Sequence, residues 1–473
     1  MDMPVLEGLI KYAQEKNLSF HMPGHKNNLR SFSELETIRS YLYSIDLTEV
    51  PGVDNLHCPE DMILQGEELA AKAFGAYKSY FLVNGSTCGI YSMIMGTTKP
   101  GDKIILQRNC HRSVYMACLM GNLDTVYITP EVVPGFNIPG GLSISQVEKT
   151  IKENRDAKAV VITYPSYYGI CSDIRSIADL AHKNNMLLLV DEAHGAHFGF
   201  SESVPRTALS LGADAAVISL HKSTPAMTQC SLLNISESVD NKGIPFMLRV
   251  FQTTSPSYIL MASIDASRYI MQSRGKELLE ELLCSVRDFR KKSETLQGFT
   301  MLDKGFMGKY GVHDIDITKL VISSHMGGRK LEEALRRGYR IQVEMSDLNN
   351  IVLIGTVGDT EKSYYLLYNA LKALDSTYKQ NESAVVPKER PDYIQAVNMR
   401  EAYYRPRERI RLEAAEGRIS CELAAPYPPG IPVLLPGEII TREIIDFIKQ
   451  QLEYGIPING LEDSTGEYIS VVK

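Results

Sequence analysis

Between about residue 65 and residue 235 the chain alternates short unbroken apolar runs with amphipathic stretches. AYKSYFLV, DKIILQ, DTVYIT, AKAVVITY, MLLLVDEA and DAAVISLH are of strand length and rich in Val, Ile and Leu. That is how a strand reads when both of its faces are covered. SISQVEKTIKEN and IRSIADLAHKNN, which lie between them, carry the apolar spacing of helices. Strands separated by helices predict βαβ units around a mostly parallel sheet, an α/β fold whose large domain spans 65–298 and ends in long helices over 258–298. HDIDITKLVISS, RKLEEALRRG, NNIVLIGTVG and EKSYYLLYNALKAL mix the two patterns and predict a smaller α+β domain over 299–376. STYKQNESAVVPKERP is polar, aperiodic and proline-bearing, which predicts a linker over 377–390 and a C-terminal domain over 391–473. Residues 1–64, with FHMPGHKNN and DLTEVPGVDNLH, look irregular and polar and predict an arm lying over another surface.

Composition narrows the class. With 473 residues, 44% hydrophobic and 23% charged, the chain has material for several domains and is neither disordered nor fibrous. No run approaches the ~20 apolar residues of a membrane span. The opening MDMPVLEGLI lacks the basic flank and apolar run of a signal peptide, so the expectation is a cytoplasmic protein with no membrane partner. A net charge of −7 argues against a nucleic-acid partner, which favours basic patches, but suits a cationic small substrate. The eight cysteines stand singly, which reads as reduced thiols, with neither a disulfide framework nor a metal site expected.

In open α/β sheets ligands bind at the carboxyl ends of the strands. Three predicted strand ends carry unusual groups. Lys222 follows DAAVISL; desolvation there lowers an amine toward the neutral form that condenses with a carbonyl, although a lysine emerging into solvent fits equally. Asp191 follows MLLLV and suits a pyridinium partner, a helix cap or a magnesium ligand. NGSTCG, with Gly85, Ser86 and Thr87, offers close backbone approach, hydroxyls and a helix N-terminus to a phosphate. It has the spacing of neither a P-loop nor a dinucleotide fingerprint, which disfavours nucleotides. His111 follows IILQ and either stacks on an aromatic cofactor or begins a helix. His21 and His25 of FHMPGHK have no third metal ligand at suitable spacing and read as part of a fixed loop.

Together these motifs resemble the Orn/Lys/Arg decarboxylase family, pyridoxal-phosphate enzymes of the aspartate-aminotransferase fold. FHMPGHK, DLTEVPGVDNLH, FGAYKSYFLVNGST, GDKIILQRNCHRSV, VDEAHGAHFGF, SLHKSTPAMTQCS, TTSPSYILMASID, EGRIS and PYPPGIPVLLPGE carry the likeness nearly end to end. The resemblance implies a fold-type-I enzyme with a seven-stranded, mostly parallel sheet, using pyridoxal 5′-phosphate to decarboxylate lysine, arginine or ornithine to a polyamine-type amine. It implies a homodimer or higher oligomer with the site at the subunit interface. Lys222 would be the Schiff-base lysine, Asp191 the partner of the pyridine nitrogen, and His111 the stacking ring opposite Ala193. Ser86 and Thr87 would hold the phosphate, with His221 nearby, Ser255 would reach the phosphate of a neighbouring subunit, and Gly85 and Ser219 would also bind the cofactor. His194 would face the reacting side, and it, His111 or Lys222 would protonate the α-carbon. Candidates for binding the substrate are His25, Asp46, Glu49, Asp54 and Glu422.

The chain departs from the family pattern at Thr224-Pro225, where glycines are common, at Asp61 for glycine, Arg112 for lysine and Cys230 for serine. None removes a catalytic group. Two rival readings remain at this point: another enzyme of the same fold, such as an aminotransferase or aldolase, and a degenerate member that only binds or regulates. PYPPGIPVLLPGE and the absence of an obvious arginine motif for a dicarboxylic substrate weigh against the first; intact Lys222, Asp191 and His111 weigh against the second.

Overall fold

The computed structural model describes residues 2–239, 243–377, 390–427 and 430–473. The predicted linker lies almost wholly outside the described residues.

A seven-stranded sheet forms the centre. Its strands are β1 (Lys78–Leu82), β2 (Lys103–Gln107), β3 (Asp124–Ile128), β4 (Ala159–Thr163), β5 (Leu187–Asp191), β6 (Ala215–Ser219) and β7 (Ser231–Ile235). In space they run β1-β7-β6-β5-β4-β2-β3. β7 is antiparallel to both of its neighbours, and the other neighbouring pairs are parallel. All six strand-like runs of the sequence are in this sheet. β7 carries no comparable signal, because SLLNI follows a short polar turn rather than a helix.

Alternation along each strand sends residues to opposite faces. Ile104, Leu106, Val161, Leu189 and Val217 enter one buried cluster, while Ile105, Val160, Ile162, Leu188 and Val190 enter another beneath the helices Ile144–Glu153 and Ile174–Lys183. A single 36-residue helix, Tyr258–Ser293, leaves the sheet. It packs on a second, antiparallel sheet made of β8 (Phe299–Met301), β9 (Lys319–Ser324), β10 (Met345–Ser346) and β11 (Asn350–Ile354), ordered β8-β9-β11-β10.

The first 64 residues are less arm-like than their polarity suggests. Phe20, Phe32, Leu35 and Ile38 are buried in the cluster beneath the second sheet. Leu18–Phe20 pairs in parallel with Ile341–Val343. The spacing of Phe32, Leu35 and Ile38 is one face of the helix Ser33–Tyr41 and its entry residue, too short a repeat to stand out among polar neighbours. By contrast the helix Pro4–Gln14 buries none of its residues.

The C-terminal segment docks through a buried ion pair. Arg108, just beyond β2, reaches Glu438 of the LLPGE run at 2.6 and 2.9 Å. Its guanidinium also lies 4.8 Å from the ring centre of Tyr127 and 4.6 Å from that of Tyr393. Removing one partner leaves the other charge stranded. Arg108→Met is therefore expected to destabilise the protein by about 3–5 kcal/mol, read as a lower urea midpoint; an unchanged midpoint would show that the pair contributes nothing.

Candidate active site

Strand register gathers the site. Asp191 closes β5 level with Thr163 of β4 and Val217 of β6, and Ser219 at the end of β6 is level with Ser231 of β7, itself level with Leu82 of β1. Five of these strands end at one edge, and a cavity of about 420 Å³ opens there. Gly85, Ser86, Thr87, His111, Asp191, Ala193, His194, Ser219, His221 and Lys222 all line it. Every cofactor position expected from the sequence is thus brought together except Ser255.

After β1 the chain turns into the 13-residue helix Gly85–Thr97. Gly85 has φ +75°, a left-handed conformation glycine adopts without steric cost. Gly89 lets this helix settle on the sheet, since a Cβ there would lie 2.5 Å from Leu82 Cδ1. The first turn of a helix leaves amide N–H groups without intrahelical partners. Beside that turn Ser86 Oγ lies 2.5 Å from Ser219 Oγ and donates to Ser231 Oγ at 2.9 Å. Free amides and a trio of hydroxyls together form a cradle for a phosphate.

Lys222 rides on the single turn Leu220–Ser223 after β6. Burial pushes its amine below the ordinary lysine range, while the carboxylates of Asp191 and Glu344 pull it back up. Burial likewise pushes Asp191 up, against the Lys222 charge and a 3.1 Å hydrogen bond from the Ala193 amide. His111 presents its ring to the cavity and accepts from the Ser113 amide through Nδ1; enclosure by protein and the nearby Lys222 and Arg112 charges lower it to about 4. His221 is lowered to about 4, chiefly by burial, with Nδ1 3.0 Å from the Cys230 carbonyl oxygen. His194, with its ring centre 4.8 Å from that of Tyr167, is held well below the imidazole range by burial first and then by Lys222 and Lys319.

Glu344 escaped the sequence reading, whereas the FHMPGHK loop is expected there as a structural or substrate-contacting loop. Glu344 lines the cavity from the second sheet's side, accepting from the Tyr167 hydroxyl at 2.5 Å and from the Met22 amide at 2.9 Å. Its one signal is an acid interrupting the apolar run IQVEMS. The FHMPGHK loop forms a wall: the Gly24 amide donates to the His221 carbonyl at 2.7 Å, and a Cβ on Gly24 would stand 2.5 Å from Thr224 O. Thr224, where the family commonly has glycine, is anchored by Leu220 O at 2.7 Å and Ser267 Oγ at 2.9 Å.

The substrate candidates from the sequence are not at the cavity in this chain. Asp54 uses both carboxylate oxygens on the amides of Asn55, Glu60, Asp61 and Ile63, so it caps a turn. Asp46 and Glu49 are exposed. Glu422 is buried away from the cavity, near Glu462 and Ser470. His25 accepts from the Asn27 amide within its own loop. Ser255 is exposed and pairs with Thr253.

The groups at this edge suit pyridoxal 5′-phosphate. An amine, a buried carboxylate, an imidazole face and the phosphate cradle line one cavity. Thr163 Oγ1 and Asn109 Oδ1, from two further lining residues, are buried without a protein partner.

Comparison with known proteins agrees. Residues 3–311 match the family described as Orn/Lys/Arg decarboxylase, major domain, and residues 379–466 match its C-terminal domain. The chain is 37% identical over 484 residues to the arginine decarboxylase of Bacillus subtilis, covering 100% of this chain and 98% of that one. It is 22% identical over 598 residues to the lysine decarboxylase LdcA of Pseudomonas aeruginosa, covering 98% and 78%. The crystal structure of the Francisella novicida lysine decarboxylase LdcF aligns with a TM-score of 0.79 at 20% identity, covering 95% of this chain and 78% of that one. The fold is that of the fold-type-I pyridoxal-phosphate enzymes, and pyridoxal 5′-phosphate is the cofactor.

The neutral histidines have a consequence for stability. His194 and His221 take up protons in the unfolded chain near pH 6.5 but in the folded one only far lower, about 4 for His221. Between those values the unfolded state binds more protons, so stability is expected to fall as pH drops from about 6.5 toward 4. Urea midpoints of cofactor-free protein across that range check this, with a shallower slope expected in His221→Asn.

Proposed function

The chain belongs to the Orn/Lys/Arg decarboxylase family, and from that premise we propose that it releases the α-carboxylate of a basic amino acid as carbon dioxide, with arginine the first substrate to test. The observation that carries the reading is the meeting, in one cavity, of a desolvated lysine, a buried aspartate and a third acid, Glu344. Arginine is favoured because the relative that matches the full chain at 37% identity is named arginine decarboxylase, while the lysine decarboxylase compared above stands at 22%.

Bound at this edge, the cofactor supplies an electron sink for the pair released when the bond from Cα to the carboxylate breaks. The chain's own groups do the rest. Lys222 offers a neutral amine to the cofactor aldehyde. Asp191, low in dielectric and without a competing cation other than Lys222, holds a proton on the ring nitrogen. Ser86, Thr87, Ser219 and the helix amides would hold the phosphate, with His221 beside them, and His111 and Ala193 would pack against the ring. Lys222 or His194, 3.1 Å apart at Nζ and Nε2, delivers the proton to Cα. Glu344 receives the distal cation, since a guanidinium or ammonium removed from water needs a carboxylate partner.

The second copy in a homodimer would complete this site. The exposed Val5, Leu6, Leu9 and Ile10 of the helix Pro4–Gln14 and the exposed Tyr41, Tyr43, Leu47 and Val50 support such an interface. Ser255, Asp46 and Glu49, remote from their own cavity, are then candidates to reach the neighbouring one. The eight cysteines are all free, which supports a reducing cytoplasmic setting, and the amine left by loss of the α-carboxylate would be of the polyamine-precursor type. Among the described residues no helix is long and apolar enough to cross a membrane.

The test is incubation of the cofactor-loaded protein with arginine, lysine and ornithine, following carbon dioxide and agmatine, cadaverine or putrescine. Keto-acid formation, or inertness toward all three, would overturn the reading. Lys222→Ala is expected to lose at least about 10²-fold in turnover. Glu344→Gln is expected to raise KM about 10- to 100-fold, as for a lost charged hydrogen bond, with a smaller effect on kcat.

A further inference from the structure

Lys319 has no role in the scheme above, yet it is 1% exposed, one of the largest fully buried side chains of the molecule. It opens β9, and its stem lies on Gly169, where a Cβ would come within 2.9 Å of both Lys319 Cβ and Cγ. Its Nζ is 3.3 Å from His194 Nδ1. The other nitrogen of the same ring, Nε2, is 3.1 Å from Lys222 Nζ. The imidazole is thus clamped between two lysines, with Tyr167 at its edge.

Counting protons decides what this clamp does. An ammonium can only donate, so a charged Lys319 requires a lone pair on Nδ1. A neutral imidazole then carries its one proton on Nε2. That N–H faces Lys222, which can accept it only through the lone pair of a free amine. The reverse arrangement, with Lys222 charged, puts the ring proton on Nδ1 against an N–H of Lys319. We propose that Lys319 is a positioning residue that locks His194 in the Nε2–H tautomer and so holds Lys222 as a hydrogen-bonded neutral amine.

The surroundings assign the charge to Lys319. Asp316 lies near it, itself lowered to about 2 by the neighbouring His197 and by Lys319, and accepting from the Thr318 hydroxyl at 2.7 Å. Burial lowers Lys319 to about 8 while Asp316 and Glu344 pull it back up, which favours the ammonium form beside Asp316. The other charges facing it are Glu344, which favours its charge, and Lys222 and Lys26, which oppose it. Lys222 is faced by Asp191 and Glu344, which favour its charge, and by the neutral His111 and His194. The His194 contact works against those two acids.

The inference rests on the reading of Lys222 as the reactive amine, but its test does not. In the cofactor-free full chain with ¹⁵N-labelled histidine, long-range proton–nitrogen spectra at pH 7.5 should show His194, assigned by its loss in His194→Gln, as the Nε2–H form. In Lys319→Met that form should give way to Nδ1–H or a mixture. Competitive acetylation of Lys222, read by mass spectrometry, should slow about tenfold as the amine's pKa rises by about one unit. Gly169→Ala, whose Cβ would meet the Lys319 stem and the Asp316 carbonyl oxygen alike at 2.9 Å on a left-handed backbone (φ +82°), keeps the Lys319 charge and should shift the tautomer in the same direction when folded. An Nδ1–H or doubly protonated His194 in the unsubstituted chain overturns the proposal, whether or not the variants fold. So does an unchanged tautomer in both folded variants. If the chain releases carbon dioxide from arginine while His194 is in the Nδ1–H form, this inference fails and the assigned reaction stands.

Discussion

A primary amine has to lose its proton inside the protein while two carboxylates stand close by; that constraint organises the site. In water, Lys222 would be an ammonium near neutral pH. Burial removes the solvation that stabilises the charge, whereas Asp191 and Glu344 restore part of it. The neutral state therefore depends on what else touches Nζ. His194 is that contact, and it is itself held neutral by burial and by a lysine on either side. Few arrangements meet all these demands at once, which is why the cavity is built from several parts of the chain rather than from one loop.

Those parts have distinct tasks. The parallel sheet supplies Asp191, Lys222 and the serine cradle at one edge, where the strands end together. The second sheet and its flank bring in Glu344 and Lys319. The FHMPGHK loop bonds to the backbone of the Lys222 turn and to Glu344 at once. The C-terminal segment places Tyr427 and Ile431 on the cavity wall and is anchored by Arg108 and Glu438, sandwiched by Tyr127 and Tyr393. Arg390 adds hydrogen bonds to the carbonyls of Ile431 and Pro432, tying the wall to the same anchor. Of these parts, Met22, Glu344, Tyr427 and Ile431 border the cavity directly, while the Arg108–Glu438 anchor holds the C-terminal segment from outside it.

Much of this was legible along the chain. Six sheet strands announce themselves because strands covered on both faces must be apolar throughout. Lys222, Asp191 and the NGST turn stand out because polar groups abruptly end such runs, and a strand end in an open α/β sheet is where ligands sit. β7 and the buried helix Ser33–Tyr41 were not legible: the first lacks a preceding helix, and the second shows too few apolar positions to establish a period. The acids of DLTEVPGVDNLH were singled out for their charge alone. Asp54 proved to spend its oxygens on backbone amides, a use that charge and spacing do not reveal.

The amino-acid sequence by itself determined the sheet and the edge at which Lys222 and Asp191 meet, because those depend on local hydrophobic pattern and on residue type. Only the tertiary structure decided which acid faces the substrate space and which base is aligned with the amine. Glu344 and Lys319 stand 122 and 97 residues from Lys222 along the chain, on strands or strand ends that look like ordinary core. What brings them to the site is contact across the boundary between the two sheets, Glu344 with Tyr167 at 2.5 Å and Lys319 with His194 at 3.3 Å. No pattern along one strand encodes such distances, since they are set by how the sheets pack.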